Sequence, residues 1–162
     1  MLVVRVVAPA ENVERTVMAF PSVLDVSKVG EYPASAKAGG GFVWDAVLEF
    51  RVWCHPEHGA PDDADGSDYY HAFVSYEDAK AFSESNKGAE EPLALIVQRE
   101  YIDEPEPGQY LHVREERVAE WHVDFLSRPA RDAFTIPEFF AADAPANRLD
   151  ILRGLAPRIV RE

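Results

Sequence analysis

Between Cys54 and His71 the chain reads C-H-P-E-H-G-A-P-D-D-A-D-G-S-D-Y-Y-H, gathering its single cysteine, three of its five histidines and five carboxylates into one loop. Thiolate, imidazole and carboxylate are zinc ligands, and zinc takes them in tetrahedral sets. Cys54, His55, His58, Asp68 and His71 are therefore candidate ligands for a divalent metal such as zinc. No other cofactor is predicted. Against the metal, no pair has a familiar ligand spacing, and Pro56, Gly59, Pro61 and Gly66 give the stretch the composition of an exposed connection. Three sharper motifs fail on position. With Gly66 as the turn glycine of a calcium loop, its first and last ligand positions fall on Pro61 and Ala72, neither with a side-chain oxygen. His55-Pro56-Glu57 echoes the zinc deaminases, but the two downstream cysteines are missing. The paired histidines of a zinc-protease helix are absent as well.

Cys54 followed by His55 also suggests an activated thiol. Neighbours along an extended strand point to opposite sides, so a buried, inert cysteine beside Trp53 is the simpler reading. A second constellation lies in R-V-A-E-W-H-V-D-F-L, where Glu120, His122 and Asp124 recur at strand spacing on one face, ~7 Å apart. A tight turn over Glu115 to Arg117 would set His112 opposite Glu120 and Tyr110 opposite His122. A carboxylate beside an imidazole makes a general base near neutral pH, so Glu120, His122 and His112 are the catalytic candidates. Plain amphipathicity competes with this, because Trp121, Val123 and Phe125 form the opposite, apolar face. Gly39 to Gly41 do not form a phosphate cradle, since a strand rather than a helix follows from Phe42. Trp44 sits in the apolar register of that strand and reads as core.

The elements that must position these residues come from a chain of 162 residues, long enough for one domain that buries roughly two thirds of its unfolded surface. The net charge of −13 disfavours nucleic acid. Most of the excess lies between positions 55 and 106, where fourteen Asp or Glu face only Lys80, Lys87 and Arg99. No apolar run approaches the ~20 residues of a membrane span, and the start M-L-V-V-R-V-V-A-P lacks a signal-peptide pattern, so a cytoplasmic location is expected.

Leu2 to Ala8 reads as a strand, and Val13, Val17 and Phe20 as one face of a helix ended by Pro21. A weaker strand is expected over Val23 to Tyr32. The clearest strand follows, with Phe42, Trp44, Ala46, Leu48, Phe50 and Val52 alternating against Asp45, Glu49 and Arg51. Tyr69 to Val74 is the next strand; Ser75 and Asp78 then cap a helix with Ala79 and Phe82 inward. P-L-A-L-I-V-Q-R-E-Y-I has the continuous apolar pattern of a central strand. Tyr110 to Arg114 and Arg117 to Phe125 form two more. Thr135 opens one terminal helix; Asp143 and Pro145 open another, with Leu149, Leu152 and Leu155 docking on the body.

This order gives an α+β fold with a ferredoxin-like βαββαβ core and an antiparallel sheet over residues 1–102, hairpin strands over 103–127 and a C-terminal helical tail over 135–157, within one domain, 1–162. The expected function is that of a cytoplasmic homodimer binding a small-molecule ligand, with neither a nucleic acid nor a membrane as partner, and able to act on its ligand through titratable side chains. Two alternatives stand beside it. One is a coenzyme A-dependent acyltransferase, although the Gly-containing coenzyme A loop before a helix is missing. The other is a non-enzymatic module whose acidic surface docks a basic protein.

Overall fold

The computed structural model describes residues 4–7 and 19–159. The helix expected over Val13 and Val17 lies outside the described residues, and the strand expected from Leu2 is described as β1, Val4–Val7. The chain then forms β2 (Lys37–Ala38), β3 (Ala46–Cys54), β4 (Tyr69–Phe73), α1 (Tyr76–Ser85) and β5 (Leu93–Gln98). It continues through β6 (Tyr101–Glu106), β7 (Gln109–Val113), β8 (Arg117–His122), α2 (Thr135–Phe140) and α3 (Arg148–Leu152). Six strands make one sheet in the order β1-β4-β3-β5-β8-β2, and β6 and β7 pair separately. The β1–β4 and β8–β2 pairs are parallel and the others antiparallel, so the protein is a mixed α/β fold with mostly antiparallel sheets.

The strand order follows the ferredoxin-like expectation only halfway. β1 and β3 flank β4, but β1 runs parallel to β4 and so antiparallel to β3, whereas a split crossover needs its two outer strands parallel, and β5 joins the far side of β3 instead of sitting beside β1. The crossover β4–α1–β5 thus straddles β3. Ser75 caps α1 by accepting the Asp78 amide at 3.2 Å, as its sequence position implied. Ala79 is fully buried, and Phe82 packs on Phe73 with ring centroids 5.3 Å apart. The expectation that β5 is central holds, since it pairs with β3 and β8.

A bulge in β3 rearranges the expected alternation. Val47 pairs with Ile96 and Glu49 with Leu95, leaving Leu48 as the extra residue. Val47, Phe50 and Val52 therefore share the α1 side with Trp44, Ile96 and Trp121. Leu48 turns to the opposite face with Leu95 and Val97, rather than lying in line with Phe50. That opposite face is also covered. Val29, Tyr32, Ala34 and Ala36 from the segment ahead of β2 pack onto it, so both faces of β3 are buried.

Local chemistry explains the other departures. The strand expected over Val23 to Tyr32 is reduced to a bridge between Val23 and Val47 and a 3-10 turn at Val26–Lys28, because Asp25 accepts the Ser27 amide at 3.0 Å. The apolar run of β5 breaks after Gln98, where Asp45 accepts the Arg99 amide at 2.6 Å and the chain leaves for β6. β8 stops at His122 and continues as a 3-10 turn, Val123–Ser127. In the tail the N-cap position of α2 is Phe134, which makes no side-chain cap bond; Asp132, two residues earlier, instead accepts the Phe134 and Thr135 amides at 2.8 and 3.1 Å. Leu149 and Leu152 pack against Val43, Ile102 and Ile136, whereas Leu155 is 75% exposed and does not dock.

Candidate functional site

The Cys54 to His71 loop is held against the turn before β5. Gly88 accepts the His55 amide at 2.9 Å, and a Cβ on Gly88 would strike the Ala60 backbone. The loop does not gather its five donors. Burial, then the charge of Asp63, pushes the Cys54 thiol up to about 11, so it is a protonated thiol near neutrality and no nucleophile. His71 is buried between the Tyr69 and Phe82 rings, and His58 is exposed with its edge against His55. Among the described residues, no three His, Cys, Asp or Glu side chains are grouped so as to hold a metal ion.

His55 instead bridges two carboxylates, with Nδ1 2.9 Å from Asp68 and Nε2 2.8 Å from Glu90. Partial burial lowers its pKa, but the hydrogen bonds and negative charge of Asp68 and Glu90 outweigh this and raise it overall. A histidine whose folded pKa lies above its unfolded ~6.5 stabilises the fold fully below that value, and the stabilisation is lost as the pH rises through the folded value. The stability gap between wild type and His55→Gln is therefore expected to be widest near ~pH 6 and to narrow toward ~pH 9, and to shrink with salt because both carboxylates are half exposed. Urea titrations across that range test this; a gap independent of pH would mean a neutral imidazole.

The second constellation is also dispersed. β7 pairs with β6 and β8 with β5, so His112 faces Ile102 rather than Glu120, and Tyr110 does not face His122. The correction follows from the break after Gln98, which supplies β7 with its own partner strand. His112 lies 3.4 Å from Glu100, which also pairs with Arg131, and stacks on Phe140. His122 is exposed, and its Nδ1 accepts the Asp124 amide at 3.3 Å.

Glu120 points into a buried ion network that the alternation of β3 and β8 concealed. Arg51 Nε donates to Glu49 at 2.7 Å, Nη1 to Glu120 and the Ala34 carbonyl at 3.2 and 3.1 Å, and Nη2 to the Pro33 carbonyl at 2.6 Å. Trp53 Nε1 donates to the other Glu120 oxygen at 2.8 Å, Glu49 accepts the Gly30 amide at 2.9 Å, and the Arg51 guanidinium lies 4.3 Å from the Tyr70 ring centre. Both Glu120 oxygens are thus engaged, and the network ties the segment from Gly30 to Ala34 to the sheet. Registers Glu49↔Leu95 and Leu95↔Glu120 mark the alignment, but no local pattern in the sequence announces it.

What the structure does open is a pocket of about 140 Å³ in the C-terminal tail, between α2, α3 and the segment that follows. Pro129, Ala130, Phe139, Ile151, Leu152 and Ile159 supply apolar walls. Thr135, Glu138, Arg148 and Arg158 are its polar groups. Arg158 straps the C-terminal segment across α2: it forks onto Asp132 at 2.7 and 3.0 Å and donates to Glu138 at 2.9 Å. The fork, together with the Phe134 amide, holds the Asp132 carboxyl far below the usual carboxylate range. None of these residues was a candidate from the sequence, because the pocket joins positions from 129 to 159 whose apolar members also read as helix docking. Comparison with protein-family models, with curated proteins and with solved structures finds no significant match, so the functional reading rests on geometry. Among the described residues, no helix is long and apolar enough to cross a membrane.

Proposed function

We propose that this protein binds a compact, largely apolar small molecule in the C-terminal pocket and does not alter it chemically. One observation carries the reading: a cavity with apolar walls, a few polar groups at its edge and a wall fixed by the Arg158 clamp. An apolar cavity of ~150 Å³ accommodates a molecule the size of benzene, so the volume suits a ligand of about that bulk. Chemistry at this site lacks its usual agents. Thr135 Oγ1 lies 3.2 Å from Asp132 Oδ1, and Glu138 is occupied by Arg158, so the pocket presents no nucleophile with a free base beside it.

Ligands of about eight non-hydrogen atoms, at ~0.5 to 1 kcal/mol per atom, are expected to bind with dissociation constants on the order of micromolar to millimolar. Amide NMR shifts recorded with a panel of small aromatic and aliphatic compounds should move within residues 129–159, and filling the pocket with Ala156→Trp should abolish the movement. A panel that perturbs nothing there at millimolar concentration would retire the proposal.

A further inference from the structure

The charged groups around the pocket are not equally satisfied. Arg158 is neutralised by Asp132 and Glu138, the latter being the carboxylate of the lining. Arg131, just outside, is paired with Asp45 and Glu100. Arg148 lines the pocket, yet among the described residues it has no carboxylate within ion-pair distance. Its guanidinium is nevertheless positioned: Nη1 donates to the Phe139 carbonyl at 2.8 Å, and the group lies 4.3 Å from the Phe139 ring centre and 5.3 Å from that of Tyr110. Of the five N–H donors a guanidinium carries, the described residues engage one. Glu104, whose carboxylate raises the pKa of the nearby Tyr110 hydroxyl, forms no ion pair with Arg148 among the described residues.

In a chain of net charge −13, a cation held by ring stacking at the edge of an apolar cavity, with no carboxylate partner among the described residues, needs an explanation. Arg128 and Arg153, next to lining residues Pro129 and Gly154 in the chain, likewise have no ion pair among the described residues, Arg128 lying over the Trp121 and Phe125 rings and Arg153 over that of Phe42. The overall negative charge is screened beyond ~10 Å at moderate salt, whereas these guanidinium groups are close by.

Resting on the pocket reading above, we infer that the ligand is a small apolar monocarboxylate, its hydrocarbon part in the cavity and its carboxylate taken by the free edge of Arg148. The planar guanidinium fork matches a carboxylate in two parallel hydrogen bonds, which an amide of the same shape cannot reproduce with charge assistance. Aromatic and short-chain aliphatic acids both fit the volume, and the recognition chemistry is the same for each.

Titrations of benzoate against benzamide and of hexanoate against hexanamide, followed by amide NMR at low salt, test the assignment on the unmodified protein. Each acid is expected to bind about tenfold or more tightly than its amide. Arg148→Met should bring that ratio close to one by weakening the acids more than the amides, and Arg148→Lys, which keeps the charge and loses the fork, should give an intermediate ratio. Equal binding of acid and amide to wild type overturns the carboxylate assignment and leaves the pocket reading intact. Failure of all four compounds to perturb residues 129–159 overturns both. An acid preference unchanged in Arg148→Met places the counter-charge elsewhere and overturns the role given to Arg148.

Discussion

Arg51→Ala is expected to cost about 3–5 kcal/mol of folding stability, because removing one member of a buried ion network leaves charge without compensation. Glu49 and Arg51 are both fully buried, and Glu120 is only 14% exposed. Alanine at position 51 would strand the Glu49 carboxylate in the sheet and remove the donors that the Pro33 and Ala34 carbonyls accept. For a chain of this size the loss corresponds to a fall in the unfolding midpoint of about 10 °C. A double-mutant cycle identifies the cause. Glu49→Gln should destabilise wild type but recover part of the loss in the Arg51→Ala background, where the unpaired charge is the main penalty. Urea unfolding of the four proteins provides the test; a loss below about 1 kcal/mol for Arg51→Ala would mean that water reaches the network.

The second large effect is expected at the triple glycine. Gly39, Gly40 and Gly41 adopt φ of 58°, 78° and 78°, in the region L side chains rarely enter. Their carbonyls and amides are used as well: Gln98 Nε2 donates to Gly40 and Val43 at 3.0 and 2.8 Å, Trp121 Nε1 to Gly40 at 3.1 Å, and Arg117 to Gly39 at 3.1 Å. Arg117 Nε also donates to Gln98 Oε1, so the loop, a buried amide and a guanidinium form one unit. A Cβ on Gly41 would collide with the Gln98 amide and with Arg117, whereas one on Gly39 would meet nothing within 4 Å. Gly41→Ala is therefore expected to cost about 3 kcal/mol or more, combining backbone strain with the displacement of a buried polar group, and Gly39→Ala about 1 kcal/mol from strain alone. Thermal unfolding of the two variants side by side checks the contrast; equal losses would mean that Gln98 and Arg117 move aside freely.

These two sites show where sequence reading succeeds and where it stops. Ser75 with Asp78 announced α1, and the apolar run from Leu93 to Val97 announced a central strand, because caps and periodicity act over a few neighbouring residues. Gly39 to Gly41 read as a connection rather than a phosphate cradle, and no helix follows them, but the strand expected from Phe42 starts only at Ala46, after Phe42 at φ 62°. Their bond partners, Gln98, Arg117 and Trp121, lie 57 or more positions away in the chain and could not be inferred.

Composition and local pattern determined by themselves that the chain is acidic, mixes helices with strands and ends in short helices. Tertiary structure alone decided which faces meet. The Leu48 bulge put Ala46 and Leu48 on the face opposite Phe50, and the cover laid down from Val29 to Ala36 turned Glu49, Arg51 and Glu120 from a polar face into a buried network. The break after Gln98 gave β7 its own partner and separated His112 from Glu120. The pocket came from elements closed against each other by Arg158. In each case the deciding energy is a pairing between distant residues, and such pairings leave no period or spacing in the sequence from which they could be read.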